Sequence, residues 1–308
     1  MNFGLPLCII FTTVWTVAIF SANDTLVSML AVNAAVQIAF FTVVACIPFL
    51  RTGRMSYVDI AWPLGVALIG VQILLMGDGN ALRKWLVAAI YLLIGLRMGL
   101  GALVMAKNTG IIFQREFPRY QYRRMTFEQS GTRHIRLHTL AEIMAQGFAN
   151  LSVLALPGFM LAVNSSPVMS PWEIAGMCLW LLAYTLEMAA DMQKLRFIKR
   201  NKRGVCNIGL WRYSRHPNYF AEWLVWTALV VAAMPSWLAL QSSEAPFTWA
   251  VLGLGALGAS AMLYTTLVYL TGAIPAEYYS QRKRPEYAEY QRTTNRFFPW
   301  FPKSHPSD

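Results

Sequence analysis

An all-α, polytopic transmembrane helix bundle of about eight helices is the fold class this sequence predicts, and three observations predict it. Of the 308 residues, 56% are hydrophobic and only 13% charged. Eight apolar runs are long enough to cross a bilayer core, which takes roughly 20 helical residues. The basic residues gather in alternate loops between those runs.

The runs lie near 5–22, 27–50, 57–76, 84–106, 140–163, 171–193, 218–240 and 247–272. The first begins without Lys or Arg and is followed by Asn23-Asp24 rather than a small-residue cleavage site, so it reads as a retained helix. Of the 26 Lys and Arg residues, 23 fall in 51–56, 107–139, 194–217 and the tail from 273, and two in 77–84. Arg97 alone sits inside a run. Because cytoplasmic loops accumulate positive charge, both termini and the long loops are expected in the cytoplasm. The net charge of +11 is then one-sided and suits anionic lipid headgroups. With no recognisable nucleic-acid-binding module, it is no argument for nucleic acid.

Cys8, Cys46 and Cys178 fall in spans and Cys206 in a cytoplasmic loop, so neither a disulfide nor a metal site is expected. His134, His138, His216 and His305 are too scattered for a di-iron centre. No internal repeat or long linker divides the chain, and nothing in the sequence sets an oligomeric state.

Polar residues placed where lipid should be carry the functional signal, because ionisable groups there are costly. In Gly209-Leu210-Trp211-Arg212-Tyr213-Ser214-Arg215-His216-Pro217-Asn218-Tyr219, Pro217 reads as the first residue of a helix. Its free N–H groups would face the same place as Arg212, Arg215 and His216, a place that attracts phosphate. Asn218 and Glu222 follow on one helix face. In the sixth run Glu187 and Asp191 share a face, with Lys194 three residues further on. They either line a polar cavity or bridge to Lys194, Arg212 or Arg215. Ser56 and Asp59 open the third run. There Asp59 either caps the helix or serves as a cavity acid, with Trp62 one turn deeper as an apolar wall. Arg97 is a natural counter-ion for Asp59. In the tail, Arg282, Arg284 and Tyr287 either lid a cytoplasmic pocket or anchor the chain at the membrane, and the aromatic, proline-rich end suits the membrane interface.

At these residues the chain resembles the steroid 5-alpha-reductase superfamily, in particular its bacterial branch of membrane proteins. The likeness rests on 209–219, on Glu187-x-x-x-Asp191-x-Gln193, on Ser56-x-x-Asp59-x-x-Trp62, and on Arg284-Pro285-Glu286-Tyr287 with Phe298-Pro299-Trp300-Phe301-Pro302. It implies residues 1–26 as an added N-terminal helix and 27–308 as the family domain, with a lipid-substrate half at 27–139 and a cofactor half at 140–308. It also implies a bacterial inner-membrane enzyme that reduces a carbonyl-conjugated C=C bond of a lipid with NADPH. On this likeness Glu187, Asp191, Asn218 and Glu222 are polar residues on the cofactor side. Arg212, Arg215 and His216 lie near the phosphates, Tyr213 and Tyr219 near the rings or ribose, and Arg284 and Tyr287 complete the cofactor site. Trp62 and Arg97 fall to the substrate. The tyrosine and carboxylate that polarise the substrate carbonyl in steroid reductases have no unambiguous match, and Asp59, Tyr57 and Tyr91 are the candidates. Isoprenylcysteine carboxyl methyltransferases share a similar Arg-His-Pro-x-Tyr motif, so the alternative is an S-adenosylmethionine-dependent membrane methyltransferase.

The charge partition predicts that reporters fused at Asp24, Ser166 and Ser243 sit on the outer side and those at Met125 and Val205 in the cytoplasm. A cytoplasmic signal at Ser166 or Ser243 overturns this topology.

Overall fold

The computed structural model describes residues 4–21 and 24–303; it is 80% helical, with no strands among the described residues. Among the described residues seven helices are long and apolar enough to cross a membrane, and a shorter apolar helix precedes them. The protein is a polytopic helical bundle, as its composition requires. His305 lies outside the described residues.

Three of the apolar runs are not single regular helices; in the run at 247–272 the α-helix gives way after residue 265 to a π-helical turn Thr266–Leu270. The run at 27–50 forms α2 (Asp24–Phe41), a π-helical turn Thr42–Cys46 and α3 (Ile47–Thr52), after α1 (Gly4–Ser21). A 3-10 turn Met55–Tyr57 leads into α4 (Val58–Met76), followed by α5 (Ala81–Thr109) and the short polar α6 (Pro118–Gln129). The run at 140–163 breaks between α7 (Ile135–Leu151) and α8 (Leu156–Val163). Then come α9 (Pro171–Arg200), α10 (Pro217–Ala239), α11 (Pro246–Thr265), α12 (Ala273–Lys283) and α13 (Tyr287–Thr293). Two compact units interleave along the chain: Met1–Ala175 with Leu229–Ala259, and Gly176–Ala228 with Ser260–Asp308. The halves drawn at residue 139 from the family likeness are continuous in sequence, whereas these units are not.

In the first unit α4 and α5 approach at small residues. A side chain at Gly95 would meet the Ala67 nitrogen at 2.4 Å and the Pro63 carbonyl at 2.5 Å. Such contacts hold helices together where apolar burial alone cannot. A buried amide ladder crosses from α2 to α4 and α7. Gln37 donates to Gly65 O at 2.9 Å, Asn33 to Asn150 O at 3.0 Å, and Asn150 to Trp62 O at 2.9 Å. Gly65 must lack a side chain, since its Cβ would lie 2.5 Å from Asn150 Nδ2. Large apolar side chains such as Leu75 and Leu254 stay exposed, at 79% and 68%. On helices of this length they form a lipid-facing surface.

Arg83 shows how charge is carried inside this unit. It is fully buried and pairs through Nε with Glu173 at 2.6 Å, while also donating to the carbonyls of Asn164, Ser166 and Val168. Glu173 in turn accepts the Ser170 N–H at 2.6 Å, and Ser170 Oγ accepts the Glu173 N–H at 3.2 Å, a reciprocal cap at the start of α9. Removing one partner of a buried pair costs about 3–5 kcal/mol, because the other charge stays uncompensated. Glu173→Ala is therefore expected to lower the melting temperature in detergent sharply. An unchanged melting temperature would remove the pair from the fold's supports.

Candidate functional site

The 209–219 stretch folds as a docked turn ahead of a helix. Gly209 has φ +54°, and a side chain there would meet Gln193 Oε1 at 2.6 Å. That oxygen accepts the Leu210 N–H at 2.9 Å, so only glycine lets the backbone come this close. Trp211 is buried and donates its indole N–H to Ala190 O at 2.9 Å, with the Lys194 ammonium 4.2 Å above its ring. Residues 190–194 of α9 thus fix the turn. From the other side, the Tyr290 hydroxyl is shared between the Trp211 and Ser214 carbonyls.

The centre of this unit is Glu277 on α12. Its buried carboxylate accepts from Arg215 Nε at 2.8 Å and Nη2 at 3.2 Å, from Gln291 at 2.9 Å and from Arg296 at 3.3 Å. His216 Nε2 lies 3.2 Å away and donates, because a carboxylate can only accept. Arg215 gives its remaining contacts to the carbonyls of Gln291 and Thr294. This corrects the sequence expectation for Arg215: four of its five N–H donors are spent inside the fold, so it is a clamp rather than a phosphate ligand. The His216 ring stacks on Tyr219, with centroids 5.2 Å apart and planes 4° from parallel. Burial pushes the His216 pKa down, against the upward pull of Glu277; Arg215 and Lys194 add to the lowering.

Beside this clamp the polar face of α9 and α10 comes together. Asn218 Nδ2 donates to Asp191 Oδ1 at 3.1 Å, while Asn218 Oδ1 is buried without a partner. Glu187 is buried one turn from Asp191, and Glu222, one turn beyond Asn218, is half-buried. Arg212 and Tyr213 are exposed, Tyr213 packing edge-on against Phe301 at 5.9 Å. Arg284 reaches the Lys202 carbonyl at 3.4 Å, and its buried Nε has no partner. Tyr287 is buried, and burial pushes its phenol up. The tail passes along this turn, with the Ser214 hydroxyl donating to Phe297 O at 2.8 Å and the Trp300 N–H to Tyr213 O at 2.9 Å. Phe297 is buried at 4%, while Trp300 and Phe301 are 68% and 73% exposed, as interface anchors require.

The first unit holds a second cluster. Asp59 Oδ1 accepts from the Tyr120 hydroxyl at 2.8 Å and pairs with Arg119 at 2.7 Å. Asp59 Oδ2 is buried with no hydrogen-bond partner. Asp59 therefore is not the cap of α4. Glu116 instead meets the N–H groups that open the 3-10 turn ahead of α4, accepting from Met55 at 2.6 Å and from Ser56 at 3.1 Å. Burial and the Asp59 charge push the Tyr120 phenol well above its ordinary range, which keeps it protonated. Tyr57 accepts from Arg54 at 2.9 Å. Tyr91 is fully buried and bonded twice to backbone, donating to Leu154 O at 2.6 Å and accepting the Gly158 N–H at 3.1 Å. Those bonds brace the α7–α8 break and leave Tyr91 no exposed face. Trp62 and Arg97 are half-buried. Tyr120, Arg119, Glu116 and Glu277 escaped the sequence reading. Pro118 was the available signal, since it starts a helix in a loop otherwise read only as topological charge.

A family model described as a protein of unknown function (DUF1295) matches residues 40–294. The chain belongs to this family. An uncharacterised protein of Schizosaccharomyces pombe is 29% identical over 179 residues, covering 51% of this chain. The chain spans about half of that relative, 47% of its length. No solved structure matches the chain. The family match contains both clusters and Glu277, and leaves α1 and most of α2 outside it.

The lowered His216 pKa has a consequence for stability. Above its ordinary value of 6.5 both folded and unfolded chains hold the ring neutral. Below 6.5 the unfolded chain takes up the proton first, so stability falls until the pH drops beneath the folded-state value. Melting in detergent from pH 8 to pH 5 should show this fall in the wild type and a flatter profile in His216→Gln. Equal slopes would contradict the buried, neutral assignment. Arg215→Ala should cost about 3–5 kcal/mol by stranding Glu277.

Proposed function

We propose that the chain is a membrane-embedded, NADPH-dependent oxidoreductase of the steroid 5-alpha-reductase-like group. It reduces a carbonyl-conjugated C=C bond of a steroid-like or prenyl-like lipid. The observation that carries this reading is the Asp59–Tyr120–Arg119 cluster, which supplies the tyrosine and carboxylate that such chemistry needs. A protonated phenol beside a substrate carbonyl stabilises the negative charge that develops on its oxygen. Arg119 makes this possible by holding Asp59. Tyr120 can then turn its proton toward the substrate without leaving the carboxylate uncompensated. Asp59, Tyr120 and Arg119 replace Tyr57 and Tyr91 as the substrate-polarising set, with Trp62 and Arg97 as lipid-side walls.

The residues of the second unit fit a dinucleotide. Asn218 Oδ1 and Arg284 Nε are buried polar atoms that still want a partner. Glu187, Asp191, Asn218 and Glu222 would hold hydroxyl or amide groups, and Tyr213, Tyr219 and Tyr287 supply aromatic surface. Arg212 and Arg284 take over the phosphate role from Arg215. When bound, NADPH supplies the hydride. The chain's own share is to orient both molecules and exclude water. We place this site on the cytoplasmic face of a bacterial inner membrane, in keeping with the charge partition.

Binding of NADPH and S-adenosylmethionine is measured side by side on protein purified in detergent. NADPH is expected to bind, and Arg212→Ala with Arg284→Ala to weaken it on the order of tenfold to a hundredfold and to reduce its salt sensitivity. Asp191→Asn should remove most of the thermal stabilisation that NADPH confers. Tyr120→Phe should keep NADPH affinity and lower lipid-dependent NADPH oxidation about 10²–10⁴-fold. Binding of S-adenosylmethionine without NADPH would establish the methyltransferase alternative, and binding of neither would point to a non-catalytic lipid-binding protein.

A further inference from the structure

The first unit contains a concavity of about 430 Å³ where the end of α3, the 3-10 turn, α6 and the start of α7 meet. Its charge balance is uneven. Arg51, Arg54, Arg123, Arg124 and Arg136 line it, against the single carboxylate of Glu116. Three of these charges are already answered. Arg123 forks onto Glu142, Arg124 meets Glu128 at 3.3 Å, and Glu116 is tied to the backbone N–H groups of Met55, Ser56 and Phe117. Arg51, Arg54 and Arg136 have no carboxylate partner among the described residues.

Two of those three guanidinium groups are held in place. Arg54 donates through Nε to Ile112 O at 3.0 Å, and through Nη2 to Phe113 O at 2.7 Å and the Tyr57 hydroxyl at 2.9 Å. Ile112 adopts φ +83°, an uncommon conformation for a β-branched residue, while offering that carbonyl. Arg136 donates to Leu50 O at 2.6 Å. Fixing like charges around one hollow is unfavourable in isolation, and a low-dielectric wall focuses their field on whatever anion enters. The volume is that of a ligand site rather than of a single water. Phe49, Met55 and Ile135 give it an apolar side.

We propose that this concavity binds a phosphoryl group, with Arg51, Arg54 and Arg136 as its ligands. Arg51 and Arg136 can each present a planar guanidinium fork to phosphoryl oxygens, while Arg54, its Nε and Nη2 spent on Ile112, Phe113 and Tyr57, offers Nη1 and its charge. The source is either a membrane phospholipid headgroup or a free phosphate compound. The site stands independently of the reductase reading, sharing with its residues only the wall formed by Tyr120.

Two probes distinguish the sources on the full-length protein. Fluorescent phosphatidylglycerol is titrated into phosphatidylcholine nanodiscs, and inorganic pyrophosphate is tested by thermal shift in detergent. Binding of the lipid probe alone identifies a headgroup; protection by pyrophosphate identifies the phosphoryl group as sufficient. In either case Arg51→Gln with Arg136→Gln should weaken the effective probe about tenfold or more. Lys107→Gln with Arg133→Gln, which removes the same charge from exposed positions outside the concavity, should weaken it less than about twofold. Arg51 is exposed and its side chain makes no hydrogen bond or ion pair among the described residues, so Arg51→Glu serves as a second variant. It should keep the helical circular dichroism and lose binding. Failure of both probes, equal losses in the two double variants, or full binding by folded Arg51→Glu overturns the proposal.

Discussion

The buried carboxylate of Glu277 is the constraint on which the second unit depends. A lone charge in such a place costs several kcal/mol, and the cost is offset only when every lone pair is met. Arg215, His216, Gln291 and Arg296 meet them here. Because Arg215 and His216 immediately precede Pro217, satisfying Glu277 also fixes where α10 begins. Asn218 is then one residue into that helix, with its amide on Asp191. The geometry of the polar face on α9 and α10 thus follows from the ion pair that sets the start of α10.

The same logic explains which arginines are free. Arg83, Arg123 and Arg215 are each buried and each forked onto one glutamate, Glu173, Glu142 and Glu277 respectively. All three count as positive charges in the sequence, yet none offers its charge to a ligand. Arg212, Arg51 and Arg136 are exposed and have no carboxylate of their own among the described residues. A surplus of basic residues sets topology through number alone, whereas ligand binding depends on this sorting into paired and unpaired groups. Counting cannot make that distinction.

The spans were legible because apolar length is a local property, and so were the stripes Glu187–Asp191 and Asn218–Glu222, which need only helical spacing. What the sequence hid was pairing across distance. Arg215 and Glu277 are 62 residues apart, and Asp59 and Tyr120 are 61 apart. No period or propensity links such positions, so Arg215 read as a phosphate ligand or a bridge to Asp191, and Tyr120 as part of a charged loop. The break between α7 and α8 was hidden for a related reason. Its residues 152–155 are as apolar as their neighbours, and what accommodates the break is Tyr91 reaching from another helix to the Leu154 carbonyl and the Gly158 N–H.

With Arg215 neutralised and His216 held uncharged by burial, the field around the 209–219 turn is set by fewer groups than the sequence implies. Arg212 lies exposed at the turn, and Arg284 presents a buried Nε without a partner. Both favour a polyanion over a sulfonium cation. Asp191, Glu187 and Glu222 act in the opposite sense unless they face hydroxyl or amide donors. A dinucleotide reconciles the two sets, because it carries phosphates at one part of its length and hydrogen-bond donors at another. A small cationic cofactor carries no phosphate to meet Arg212 and Arg284. The division of charge within this unit, rather than its sum, is therefore the physical ground for preferring NADPH.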